Sequence, residues 1–270
     1  MSTRRTGAHG MRALLAAALA AAACAAAPAA VHAADVTVRV EGRSGTLLAQ
    51  TTVTIGDGTR TASTWNGVGA MPHTCADDTV YQATELALRG NWDRSTYVET
   101  IAGESHSWSP NEEYWILYHE NDYADWGACE LHLEDGDTVL WQAGKSGPSP
   151  DFIPDSIPIF LERVSPASGP VRLGRTLTVK LTAYRPTDIF GTPDPNDPGH
   201  WIIPPSPPTN PAGYTVSVGG TTAVTDANGE ATLRMPSSTG VYDVQASMPG
   251  SSSNWSRSIP LAVCVSNTSC

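Results

Sequence analysis

The chain has 270 residues, 40% of them hydrophobic, with 24 Gly, 21 Pro and a formal charge of −11. That length accommodates two small domains, and the acidic, lysine-poor balance argues against nucleic acid and anionic membrane surfaces as partners. Only 3 Phe stand against 8 Trp and 8 Tyr, so large apolar area must come mainly from amphipathic rings.

The first 33 residues read as a signal peptide. Arg4, Arg5 and Arg12 form a basic start, Leu14 to Ala30 an alanine-rich apolar stretch, and Val31-His32-Ala33 a small-residue cleavage site. Cys24 as a lipid-modified cysteine is one rival reading, but Ala21 stands where leucine is usual. Arg4-Arg5 as a twin-arginine signal is the other, but Thr6-Gly7 follow where bulky apolar residues are usual. Ordinary secretion is therefore expected, with the mature chain beginning at Ala34. It would keep 13 basic and 27 acidic residues, a net charge of −14. No later apolar stretch is long enough to span a bilayer. Cys75, Cys129, Cys264 and Cys270 would remain, an even number that suggests disulfides in an exported chain.

Residues 34–143 read as a first domain. Asp35 to Val40 alternates, with Val36, Val38 and Val40 on one face, and Leu47 to Ile55 returns beside it. Gly56 to Pro72 is a loop without periodicity. Asp77 to Leu88 has helical spacing, with Asp77 or Asp78 as the expected cap, Val80, Ala83, Leu86, Ala87 and Leu88 as the buried stripe, and Gly90 as the stop. Thr96 to Ile101 reads as a strand and Gly103 to Pro110 as a turn. Tyr114 to Tyr118 is apolar on both faces, as a central strand is. Ala128 to Leu133 alternates and reads as a strand. Glu134 to Asp137 is a turn built on Asp135-Gly136, and Val139 to Trp141 returns. The expected core is thus three antiparallel strands between Tyr114 and Trp141. Cys75 lies just before the helix, and Cys129 shares a face with Leu131 and Leu133, which predicts a Cys75–Cys129 bridge. Cys264 and Cys270 would close a short loop at the tail.

Residues 144–156 are proline-rich and read as a linker. From 157 to 265, six short alternating segments start at Ile159, Thr176, Tyr214, Glu230, Val241 and Ile259. They have the spacing of a β-sandwich. An insert at 185–213 carries nine prolines, which rule out a central strand and favour a long surface loop. Residues 266–270 are a tail. The expected fold class is α+β: a β-grasp-like domain with one helix on a small mixed sheet, then an all-β immunoglobulin-like sandwich.

Several residues carry a family resemblance: VTVRVEG at 36–42, the helix at 78–88, Trp115-x-x-Tyr118-x-x-Asn121, Gly127-Ala128 and Gly136-Asp137-x-x-x-Trp141. Through them, Asp35 to Gln142 resembles a family of unknown function that shares the transcobalamin-like C-terminal domain. In transcobalamin and intrinsic factor that domain closes over a corrinoid held mainly by a helical barrel, which this chain lacks. The resemblance implies a β-grasp-like fold and a role in binding, not cobalamin itself. Thr225-Asp226-x-x-Gly229-x-Ala231-Thr232 and Gly240-x-Tyr242-x-Val244-x-Ala246 make the second domain similar to the bacterial immunoglobulin-like and carboxypeptidase-regulatory-like sandwiches. That similarity implies a spacer or adhesive module.

Motifs for catalysis are weak. His119-Glu120 begins like a zinc-protease helix, but Tyr123 replaces the second histidine and the segment reads as strand, so the pair is expected at a strand end. There is no GxSxG elbow or phosphate loop. Asp135 and Asp137 flank a turn glycine rather than facing each other across a cleft. Asn121, Asp122 and Asp125, or Asp188, Asp194, Asn196 and Asp197, could gather calcium, but neither run has defined ligand spacing and loop chemistry is the simpler account. No metal and no cofactor is expected. The segment Asn121 to Trp126 is more informative, because Tyr123 and Trp126 are large rings in a polar loop. Asn121, Asp122, Tyr123, Asp125 and Trp126, beside the turn at Asp135–Asp137, are therefore the expected ligand site.

These features predict a secreted or cell-surface protein that binds or adheres without catalysis, its partner a glycan, a protein or a small molecule. The alternative is extracellular capture of a small, corrinoid-like molecule, and a secreted hydrolase is the third reading.

Overall fold

The computed structural model describes residues 33–56, 59–61, 74–94, 98–124, 127–147, 152–195, 201–248 and 254–269. The segment expected to be a leader lies outside these residues up to residue 32, as do Asp125, Trp126 and Cys270. Residues from Ala33 onward form one compact unit, which holds two hydrophobic cores. Among the described residues the protein is mostly β, and no helix is long and apolar enough to cross a membrane.

Strands β1 (Ala34–Glu41) and β2 (Thr46–Ile55) pair antiparallel, with Val36 opposite Val53. β3 (Thr59–Thr61) pairs with β4 (Thr74–Ala76) just before helix α1 (Val80–Leu88). β5 (Thr100–Ile101) and β6 (Glu104–Ser105) make a small hairpin, and α2 (Trp108–Asn111) is a single turn. β7 (Glu113–His119), β8 (Asp122–Tyr123) and β9 (Thr138–Lys145) complete a five-stranded sheet in the order β2-β1-β9-β7-β8. β1 and β9 run parallel, and the other pairs are antiparallel.

The face that carries Val36, Val38, Val40, Trp115, Leu117, Val139, Trp141 and Ala143 forms one core with Val80, Ala83, Ala87 and Leu88 of α1. Alternation produces this face, because every second side chain of a strand points the same way. The helix is covered nearly all round. Gln82 and Thr84 are buried, and Trp141 Nε1 donates to Thr84 Oγ1 at 2.9 Å. Leu86, expected in the stripe, is instead exposed.

Two other expectations fail at the start of α1. The N-cap residue is Thr79, whose side chain makes no capping bond, so the cap position falls on neither Asp77 nor Asp78. Ala128 to Leu133 is not a strand but a turn followed by one bridge, Thr79 to His132. The two errors share one cause. Val80 N donates to Leu131 O at 3.0 Å and Tyr81 N to Ala128 O at 2.7 Å. The first-turn N–H groups of a helix need partners, and the backbone of 128–131 supplies them instead of joining the sheet. Cys75 and Cys129, S–S 2.11 Å, fasten that segment beside the helix. β9 pairs with β1 and β7, so the three-stranded antiparallel core is replaced by a mixed sheet.

Elsewhere the differences are smaller. The strand expected from Thr96 is reduced to Thr100–Ile101, with residues 95–97 outside the described set. β9 continues through Gly144 and Lys145 into the expected linker, and Ser146 then bridges Pro154. A Cβ at Gly144 would meet the end of the Ile116 side chain and lie 3.2 Å from Ser156 Cβ, so a larger residue there would make those side chains shift.

The second core joins two sheets. β10 (Ile159–Ser165) pairs with β11 (Thr176–Tyr184). Within the insert, β12 (Thr192–Pro193) pairs with β13 (Trp201–Ile202), and β14 (Pro208–Thr209) adds to β11. β15 (Thr215–Val218), β16 (Thr221–Val224), β17 (Glu230–Arg234), β18 (Gly240–Ser247) and β19 (Leu261–Val265) follow. β17 pairs with β11, while β16-β15-β18-β19 form the facing sheet. β16 was not expected, since Gly219-Gly220 turns the chain back after only a short strand. Leu177, Val179 and Leu181 meet Val216, Val244, Val263 and Val265 between the sheets.

The chain from Ser156 onward, the second lobe, also covers the first lobe, which runs from Ala34 to Lys145. Tyr118 donates through its hydroxyl to Ser156 O at 2.6 Å, and Arg39 donates to Arg257 O at 2.7 Å. This explains why β7 is apolar on both faces: one meets α1, the other the second lobe.

Candidate functional site

The site is built at the end of β7. His119, Glu120, Asn121 and Asp122 make a two-residue hairpin in which Tyr118 pairs with Tyr123 and His119 with Asp122. Glu120 and Asn121 have φ of 49° and 74°. Two successive left-handed residues suit the primed turn that matches strand twist. The Glu134–Asp137 turn lies alongside, with Gly136 at φ 93° and Asp137 N donating to Glu134 O at 3.2 Å.

The proline-rich insert meets this hairpin. Ser206 N donates to Asp122 Oδ1 at 2.6 Å. Between hairpin and insert lies a cleft of about 450 Å³, lined by His119, Glu120, Asp122, Tyr123 and Leu131 on one side and by Asp194, Trp201, Ile202 and Ile203 on the other. That volume lies within the range of small-ligand sites. Trp201 is 45% and Ile202 51% exposed, although both are large and apolar. Tyr118 and Tyr123 contact edge to face at 6.3 Å, which links the cleft wall to the buried sheet.

Acidic groups and one imidazole collect at the hairpin. His119 Nε2 lies 2.8 Å from Asp137 Oδ2. Asp137 Oδ2 also accepts from Glu134 N at 2.8 Å, and Glu120 Oε1 accepts from Thr138 N at 2.6 Å. Carboxylates beside aromatic rings can accept hydrogen bonds from hydroxyl or ammonium groups while the rings stack.

Residues 77–145 are similar to the family described as Domain of unknown function (DUF4430). The match spans about a quarter of the chain and runs from the turn before α1 to the end of β9. It therefore includes the whole hairpin side of the cleft and none of the insert side. No curated protein matches the chain.

Of the expected site residues, Asn121 occupies the turn, Asp122 is tied to Ser206, and Tyr123 lines the cleft. Asp125 and Trp126 lie outside the described residues. Of the second acidic run weighed for calcium, Asp188 Oδ1 accepts from Phe190 N at 2.8 Å, a local turn bond, whereas Asp194 lines the cleft. Asn196 and Asp197 lie outside the described residues. Cys264 is disulfide-bonded, and Cys270, its expected partner, lies outside.

Trp201, Ile202 and Ile203 were missed, and Asp194 was weighed only for calcium. Trp201-Ile202-Ile203 did give a signal: three large apolar residues in a segment whose prolines bar it from a central strand. Such residues either cover a core or face a partner.

Proposed function

We propose that the protein is an exported, non-enzymatic binding module whose ligand lies in the cleft between the His119–Ala124 hairpin and the 192–203 insert. In this reading the first lobe is a transcobalamin-C-terminal-like, β-grasp-like domain. The second is an immunoglobulin-like sandwich that contributes one wall. The observation that supports it is that exposed Trp201 and Tyr123 line one cleft that also offers Glu120, Asp122 and Asp194. Rings with carboxylate acceptors around them suit a saccharide, whose C–H faces stack and whose hydroxyls donate.

A saccharide array followed by calorimetry with the best binder tests this. Trp201→Ala should weaken binding by about three- to tenfold, the worth of one stacked ring, with the fold unchanged by circular dichroism. Equal affinity in both proteins, or no saccharide bound by either, would overturn it. Capture of a corrinoid-like molecule is the second reading, since the likeness of the first lobe to a corrinoid-covering domain favours it. Titration with cobalamin followed by its visible absorption separates the two.

A further inference from the structure

We propose that His119, Glu120 and Asp137 bind a divalent transition-metal ion, zinc or manganese, at the edge of the cleft. One donor atom from each of the three lies within 4.8 Å of the others. They come from three backbone features. His119 ends β7, Glu120 takes the first left-handed position of the hairpin, and Asp137 closes the turn before β9. The β7–β9 register, with His119 opposite Val139, brings the sets together.

The His119–Asp137 spacing is close to that of two ligands on one ion, and exposed Glu120, within 4.8 Å of them, would move in to complete the set. His119 Nε2 and Asp137 Oδ2 are 2.8 Å apart. Two donors on one ion at about 2.1 Å are about 3.0 Å apart in octahedral geometry and about 3.4 Å in tetrahedral geometry. The pair therefore needs only a small opening, with the ion replacing the shared proton. Both carboxylates are already oriented by backbone donors, Asp137 by Glu134 N at 2.8 Å and Glu120 by Thr138 N at 2.6 Å. Outer hydrogen bonds of this kind aim metal ligands. An imidazole with two carboxylates neutralises a dication and suits zinc or manganese. Calcium, which takes oxygen ligands, is disfavoured. Since His119 and Glu120 also line the cleft, coordination positions left by three protein donors would face it. The proposal stands whether or not a saccharide is the cleft's ligand.

Calorimetry of the untagged, metal-stripped protein with zinc chloride and manganese chloride tests it. One equivalent of either ion should bind. His119→Ala, Glu120→Gln and Asp137→Asn should each weaken it at least about tenfold. His132→Ala should not, although His132 forms its own pair with Asp78 at 2.9 Å. Glu120 is exposed, so its variant keeps the test valid if another loses its fold. Cobalt(II) gives an independent readout, with visible bands in the wild type that are lost in Glu120→Gln. Absence of binding, or affinity unchanged in folded Glu120→Gln and His119→Ala, would overturn the proposal.

Discussion

Trp255 reaches from the second lobe to His106 in the first, with ring centroids 5.6 Å apart. It belongs to the core built around α1 and β1, not to the sandwich core beside it in sequence. Arg43 lies over the same indole at 4.8 Å, and Trp255 N donates to Ser156 Oγ at 2.8 Å. His106 itself is buried between Glu104, 2.6 Å from Nε2, and Glu113, 3.1 Å from Nδ1.

Trp255→Ala should therefore loosen one lobe from the other. Removal of a buried indole costs about 3–5 kcal/mol. The expected result is a lower midpoint in urea and faster proteolysis between the lobes. An unchanged midpoint would show that the indole is not needed for docking.

Reduction of Cys75–Cys129 should destabilise the first lobe. The bridge joins residues 54 apart, and the loop-entropy model gives about 4 kcal/mol for such a loop. Because residues 128–131 also accept the first N–H groups of α1, hydrogen exchange at Val80 and Tyr81 should accelerate most. Peptide mapping without reduction checks the pairing.

Glu41 is fully buried and forms a pair with Arg39 at 2.7 Å, while Thr46 Oγ1 donates to it at 2.8 Å. Burial lowers the Arg39 pKa, and the charge and hydrogen bond of Glu41 pull it back up. Glu41→Ala leaves the guanidinium buried without its partner and should cost about 3–5 kcal/mol. Thr46→Ala removes one hydrogen bond and should cost about 1 kcal/mol. Chemical denaturation of the two variants compares them, and an equal loss would contradict this ranking.

Burial raises the Tyr118 hydroxyl well above its ordinary pKa. The folded protein then holds a proton that the unfolded chain releases. This contribution is fully present below the unfolded value, near pH 10, and is lost as pH rises toward the higher folded value. Burial raises Tyr114 and Tyr214 in the same direction. Stability should therefore fall above about pH 10, with a shallower fall in Tyr118→Phe. At neutral pH that variant should lose about 1–2 kcal/mol, since the buried hydrogen bond from the Tyr118 hydroxyl to Ser156 O is removed. Thermal melts across the alkaline range check both statements.

The sequence by itself determined the elements whose pattern is local. Val36, Val38 and Val40 alternate because one face of β1 is buried, and Thr176 to Tyr184 forms a strand of the predicted extent for the same reason. Asp135-Gly136 marked its turn, and the double coverage of Tyr114 to Tyr118 was legible in apolar residues on both faces. The segment Asn121 to Trp126 could be singled out because two large rings, Tyr123 and Trp126, had no local core to fill, although Asp122–Tyr123 proves to be a short strand rather than loop.

Tertiary structure decided what depends on residues distant in sequence. Ala128 to Leu133 alternates like a strand, yet its carbonyls serve the start of α1, because the helix's free N–H groups and the Cys75 bridge lie there. β1 lies parallel to β9, a pairing that no local pattern encodes. His119-Glu120 and Asp137, each unremarkable alone, come within reach only through the β7–β9 register. The cleft required a further long-range event: the insert, read as a surface loop, is held against the hairpin by Ser206 N and Asp122 Oδ1. Periodicity records which side of a strand is buried, but not which distant segment buries it, and the candidate site lies where two such segments meet.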